Sequence, residues 1–209
     1  MAADIISPNF ILEEINFFPS IVNGRLNFVG FMRAISDLLV LIDRLGKVFT
    51  PVKLDMQGNI DKIKKHYKYN EDSCLFELML EEINKGKPVA AEGVLWLNRA
   101  LLFFELTFKE MLINLKSEQY DANMKKVFRS AYEGSVKKYH SWITQQLFNT
   151  MCKMSPTMPQ ILKSFQVDNN VKGFEARLSN FNETIHLVRC EIDNFFNNNN
   201  LFYNNEIVS

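Results

Sequence analysis

Asp55, Asn59 and Lys62 recur at helical spacing in the run TPVKLDMQGNIDKIKKHY (50–67), so a helix would stack an acid, an amide and a base in one row. Beside that row Val52, Met56, Ile60, Ile63 and Tyr67 form an apolar stripe, which places the polar residues at the border of a buried face. Such groups could exchange protons or hydrogen-bond a ligand, but a lone carboxylate without a nucleophile or metal defines no reaction class. The chain has no Gly-rich phosphate loop and no nucleophile elbow, and His66, His140 and His186 lie too far apart to suggest metal ligation. Cys74, Cys152 and Cys190 have no metal-type spacing either and read as reduced, structural thiols of a cytosolic protein. The expectation is therefore a non-enzymatic protein with no metal and no cofactor.

The elements that carry these residues are helical. Eight glycines and six prolines in 209 residues leave long segments with a period near 3.6 residues, which predicts an all-α fold in one domain. Helices are expected at about 9–18, 26–46, 51–69, 73–85, 90–117, 122–152, 158–166 and 172–197. Thr50 before Pro51 is a cap followed by a first-turn proline, and Pro156 and Pro159 punctuate the exit from the long helix. With 24 basic and 24 acidic residues the net field is near zero, which argues against nucleic acid as a partner. The N-terminus lacks the basic start of a secretory signal, and the apolar stretch at 94–104 is too short and too polar to span a bilayer. A soluble, cytoplasmic protein is expected, in which the sequon at Asn182 carries no glycan. The tail from Asn197 mixes asparagines with Leu201, Phe202, Tyr203, Ile207 and Val208 and is expected to dock on the body.

Two helices say more. From Val94 to Phe108 apolar side chains cover nearly the whole circumference, which marks a central helix in stacked layers. Around 128–151, Tyr132, Val136, His140, Ile143 and Leu147 fall on one stripe, so His140 is expected within a buried face. Trp142 then projects among polar neighbours. It reads either as a surface residue shielded by a loop or as an anchor at a membrane-water boundary.

Together, FTPVKLDMQGNIDKIKKHY (49–67), LWLNRALLFFE (95–105) and AYEGSVKKYHSWITQQLF (131–148) resemble the glycolipid transfer protein family, in order and spacing. The resemblance extends from about residue 26 to 190 and is weak over about 1–25 and in the Asn-rich tail, about 194–209. It implies an all-α, two-layer sandwich of about eight helices forming a single domain over 1–209. Such a domain holds one sphingolipid, its headgroup in a surface recognition centre and its hydrocarbon chains in a collapsible apolar pocket. By the same resemblance Asp55 accepts from the lipid amide and sugar hydroxyls, and Asn59 and Lys62 hydrogen-bond the first sugar. Trp96 lies beneath the sugar ring, His140 donates to the amide carbonyl, and Trp142 docks on the membrane. Leu38, Ile42, Phe49, Val52, Phe103, Val136, Phe148, Ile161 and Phe165 are the implied pocket lining.

The chemistry is coherent with that picture. An amide drawn toward an apolar pocket must keep its donor and acceptor satisfied, because leaving it unpaired costs roughly 2–7 kcal/mol. An acid and a histidine supply the two complements. An aromatic plate with Asn and Lys suits a sugar, which has apolar C–H faces and a rim of hydroxyls. An eighteen-carbon chain represents about 14 kcal/mol of burial at ~0.8 kcal/mol per CH₂, so a carrier must offer a comparable cavity. Members of the family that select a phosphate headgroup carry extra basic residues in the central block and lack the tryptophan, whereas Trp96 is present here with Phe103 and Phe104 in the next turn. Lys62 with Arg99 is the feature that would favour an anionic group. Gln146, Lys153 and the LLVLIDRL segment (38–45) depart from the family pattern. The resulting expectation is a cytoplasmic, monomeric carrier that touches membranes transiently and moves one glycosphingolipid per chain. The alternatives are transfer of ceramide-1-phosphate, or a glycolipid sensor without transfer.

Overall fold

A computed structural model describes residues 10–167 and 170–199. The described residues form eight α-helices: α1 (Phe28–Arg44), α2 (Thr50–His66), α3 (Leu75–Asn84), α4 (Val89–Lys116), α5 (Met124–Glu133), α6 (Trp142–Lys153), α7 (Met158–Ser164) and α8 (Val171–Asn198). The architecture is the all-α, two-layer sandwich expected from the sequence. The tail reading concerns mainly residues 200–209, which lie outside the described residues, as does the start of the helix expected at about 9–18. What is described of that first segment is a single 3₁₀ turn, Ile11–Glu13, in place of a helix. It is nonetheless core: Leu12 is fully buried, Ile11 N–H donates to the Phe165 carbonyl at 3.0 Å, and Arg177 Nε donates to the Leu12 carbonyl at 3.0 Å.

Local chemistry explains most helix ends. Asn27, Asn170 and Thr157 accept first-turn amides of α1, α8 and α7, and Thr157 forms a reciprocal capping box with Gln160. The start of α4 has no such side chain of its own. Glu82 of α3 supplies it, accepting from Ala90 N–H at 2.9 Å, Ala91 N–H at 2.8 Å and the Tyr67 hydroxyl at 2.9 Å. One carboxylate thus ties the ends of α2, α3 and α4, where a helix N-terminus favours negative charge.

Helix α4 is central, packing against α2, α3, α5 and α8, while α1 packs on α2 and α5 on α6. Its buried residues span more than half the circumference, from Phe103 and Thr107 through Phe104 and Leu101 to Asn98 and Ala91. Gly93 permits the close approach to α2, since a Cβ there would lie 3.3 Å from both the Asn59 carbonyl oxygen and Ile63 Cγ1. A polar seam joins α4 to α8: Asn98 Nδ2 donates to Asp193 at 2.7 Å, and Arg189 bridges Glu105 and Asp193, each at 2.5 Å.

The helix expected over 122–152 is instead broken. It ends at Gly134, a 3₁₀ turn spans Lys137–Tyr139, and α6 restarts at Trp142 with Ser141 as its cap. Ser135 Oγ donates back to the Ala131 carbonyl at 2.5 Å and Ser141 Oγ accepts from Thr144 N–H, so both ends of the break have side-chain partners. Gly134 lets α5 terminate against α4, since a Cβ there would come within 3.0 Å of Leu106 Cδ1.

Candidate functional site

Pro51 opens the first turn of α2 and directs Val52, Asp55 and Met56 toward a common space. From α4, Trp96, Ala100 and Phe103 follow one another at helical spacing and form the facing wall. The break between α5 and α6 contributes Val136 and His140, and α6 contributes Thr144, Leu147, Phe148 and Met151. These residues enclose a cavity of about 250 Å³. That is slightly below the roughly 300–1,000 Å³ common for small-molecule sites. Aromatic rings crowd its inner end. Phe103 meets Phe148 edge-on at 5.6 Å, and Phe148 stacks on Tyr132 at 3.8 Å.

The polar groups on this wall are few. Asp55 is exposed at the α2 side, and the His140 imidazole is half-buried opposite the helix. Burial pushes the His140 pKa below the ordinary imidazole value, and the nearby Asp55 carboxylate opposes part of that shift. His140 Nδ1 lies 2.9 Å from the Tyr132 hydroxyl, and its carbonyl accepts from Gln145 Nε2 at 2.9 Å. The same Gln145 amide reaches the Lys137 carbonyl at 3.2 Å, which holds the non-helical segment in place. Burial also raises the Tyr132 phenol to about 12, so it remains a donor.

Trp96 is held from one side by a stack. The Arg99 guanidinium lies 4.6 Å from its ring centroid and 3.7 Å from that of Tyr139, and Tyr139 meets the indole edge-on at 6.1 Å. Arg99 faces a separate polar hollow with Asn98, Ser135, Lys138, Arg189 and Asp193. Neither Arg99 nor Lys62 is on the cavity wall.

The predicted row on α2 therefore divides. Asp55 reaches the cavity. Asn59 is turned into the α2–α4 contact, only 5 % exposed, its Nδ2 donating to the Asp55 carbonyl at 3.1 Å and its Oδ1 without a partner among the described residues. Lys62 is exposed farther along the helix. Among the implied lining residues, Val52, Phe103, Val136 and Phe148 are on the wall. Leu38, Ile42, Phe49, Ile161 and Phe165 are buried in the surrounding core, Phe49 against Phe128 at 4.8 Å and Phe165 against Phe174 at 6.1 Å. The sequence reading missed Met56, Ala100, Thr144, Leu147 and Met151. Helical spacing from Val52, Trp96 and Phe148 would have reached Met56, Ala100 and Met151.

The break also corrects the expected stripe. Ile143 and Leu147, expected in a buried face with His140, are 74 % and 51 % exposed, and Trp142 is 72 % exposed at the first turn of α6. Once the register is interrupted at Gly134, the face that α6 buries is set by Phe148, Met151 and Cys152. Trp142, Ile143 and Leu147 form an exposed apolar surface, continued by Met154, and Leu147 belongs to the cavity wall as well. None of the described helices is long and apolar enough to cross a membrane.

An apolar cavity with a carboxylate, an imidazole and an indole on its wall has the make-up of a small-molecule site, mostly hydrophobic with a few placed polar groups. Residues 26–167 match the family model described as Glycolipid transfer protein (GLTP), and the chain belongs to this family. It is 28 % identical over 174 residues to Glycolipid transfer protein A of Xenopus laevis, covering 79 % of this chain and 83 % of that one. Its fold is similar to a solved structure addressing how FAPP2 selects simple glycosphingolipids using the GLTP-fold, with TM-score 0.81 and 21 % identity over 96 % of this chain and 100 % of the other. It is also similar to human ceramide-1-phosphate transfer protein in complex with 12:0 ceramide-1-phosphate, with TM-score 0.77 and 16 % identity over 92 % and 96 % of the two chains.

Proposed function

We propose that this chain is a non-enzymatic carrier that binds one glycosphingolipid and moves it between membranes. The observation that carries the reading is the meeting of Asp55, Trp96 and His140 on the wall of one otherwise apolar cavity. In the proposed complex Asp55 accepts from the lipid amide N–H, His140 donates to its carbonyl, and Trp96 lies under the first sugar. Both amide groups then stay paired as they leave water. Lys62 would join the headgroup beyond the cavity mouth from its exposed position, and Asn59 would join it only by turning its amide out of the α2–α4 contact. The hydrocarbon chains enter by displacing Phe103 and Phe148, whose rings close the inner end of the cavity, and Leu38, Ile42, Phe49, Ile161 and Phe165 line the space thus opened.

The carrier works as a monomer. It forms a single domain over 1–209, and the family match over 26–167 and the 96 % coverage by a GLTP-fold neighbour support that extent. It acts in the cytoplasm, docking transiently through Trp142 and the exposed apolar surface around it. A sugar is favoured over a phosphate because Trp96 is on the cavity wall and Arg99 is not, its guanidinium packing on the Trp96 and Tyr139 rings and facing the separate hollow.

The test is transfer of fluorescent galactosylceramide between vesicles, run beside labelled ceramide-1-phosphate. The glycolipid is expected to move and the phosphate lipid to move slowly or not at all, with both Asp55→Val and Trp96→Ala lowering the rate. Undiminished transfer by these two variants would overturn the site assignment. Selective movement of ceramide-1-phosphate would overturn the sugar preference, and binding without transfer would identify a sensor.

A further inference from the structure

Tyr132 is not on the cavity wall and meets two residues that are, His140 and Phe148. Its hydroxyl oxygen lies 2.9 Å from His140 Nδ1, while its ring stacks on Phe148 with planes 9° apart. Tyr132 is 1 % exposed, so the hydroxyl hydrogen needs an acceptor within the protein, and among the described residues His140 Nδ1 is its hydrogen-bond partner. A neutral imidazole has one protonated and one bare nitrogen, and the bond made at one fixes the state of the other. Were Nδ1 protonated, it would turn a donor toward the phenol and deprive the buried O–H of that acceptor. With Nδ1 bare, the phenol donates and the ring proton sits on Nε2.

We propose that Tyr132 is a positioning residue that locks His140 as the Nε2–H tautomer and so presents a committed donor at the cavity. The functional consequence rests on the amide-binding reading above. Asp55, as a carboxylate, only accepts, and the locked His140 only donates, so the pair matches an amide in one orientation. An ester offers a carbonyl but no N–H and leaves Asp55 unmatched. The hydroxyl is separable from packing, because phenylalanine at position 132 keeps the stack on Phe148 and loses only the lock.

The first test needs no variant and no lipid. In the ¹⁵N-labelled full chain near neutral pH, long-range proton–nitrogen correlation identifies which His140 ring nitrogen carries the proton. Nε2–H is expected, and Nδ1–H in the unmodified protein would overturn the proposal. Tyr132→Phe is expected to yield a mixture of tautomers and about a tenfold loss of galactosylceramide transfer, the scale of one buried hydrogen bond, with an unchanged circular dichroism spectrum. Transfer equal to that of the unmodified protein would overturn it. In a His140→Ala background the same substitution is expected to cost nothing further, whereas a full second loss would place the Tyr132 effect elsewhere. If the unmodified chain moves no galactosylceramide, the carrier reading falls, and the nitrogen correlation still decides the tautomer by itself.

Discussion

Replacing Trp142 by alanine asks whether the outer face of α6 enters a bilayer interface. The side chain is 72 % exposed. On an indole side chain of roughly 250 Å², that leaves about 180 Å² to withdraw from water, or ~4.5 kcal/mol at ~25 cal/mol per Å² for full immersion. Interfacial docking immerses about half, so the loss on truncation is roughly 2 kcal/mol, about 30-fold in the vesicle partition coefficient. Because so little of the residue is packed, stability is expected to change by no more than about 0.5 kcal/mol. The assay is co-flotation with neutral phosphatidylcholine vesicles across a range of lipid concentrations, which removes charge attraction from the comparison. Ile143→Ser, on the same exposed surface, is expected to weaken flotation in the same sense. Partition unchanged within about twofold for both variants, with the melting temperature retained, would refute the reasoning, since the estimate predicts an effect tenfold larger.

Three further outcomes are expected. Acidification should lower stability through His140: its folded pKa lies below the unfolded value near 6.5, so the unfolded chain binds the proton more readily and stability falls as pH drops from 6.5 toward the folded pKa. Melting curves of the unmodified chain and His140→Gln across that window should show a shallower decline in the variant. Glu82→Ala should cost about 3 kcal/mol in urea unfolding, because it strips a charged acceptor from two first-turn amides and a phenol. A change below about 1 kcal/mol would show that water replaces the carboxylate at the start of α4. Asp55→Asn should slow galactosylceramide transfer while leaving the melting temperature nearly unchanged, since Asp55 is exposed; equal transfer rates would remove Asp55 from the site.

The sequence disclosed α2 and α4 because long apolar periodicity, a first-turn proline and an all-round hydrophobic helix are local signals. It disclosed less where a local signal competed with an accidental period. Tyr132, Val136, His140, Ile143 and Leu147 keep helical spacing through residues that do not form one helix, and Gly134–Ser135 and Ser141 were absorbed into the pattern. Ser141 with Thr144 was the available clue, a capping residue followed by the amide that it caps. The burial of Asn59 was not legible at all. It depends on α4 pressing against α2 at Gly93, a contact between segments far apart in the chain. The Arg99–Tyr139 stack is likewise tertiary, and it turns a cation that the sequence suggests for an anionic ligand into the backing of an indole.

Leu147 is at once part of the cavity wall and part of the exposed surface of α6. Two properties therefore hang on a single side chain and cannot vary independently. A polar residue at that position would wet the interior and weaken the outer surface together, and a bulkier apolar one would narrow the opening while making the surface more adhesive. Position 147 is thus a point of pleiotropy in the fold, where affinity for what is held and affinity for where it is held must change in step.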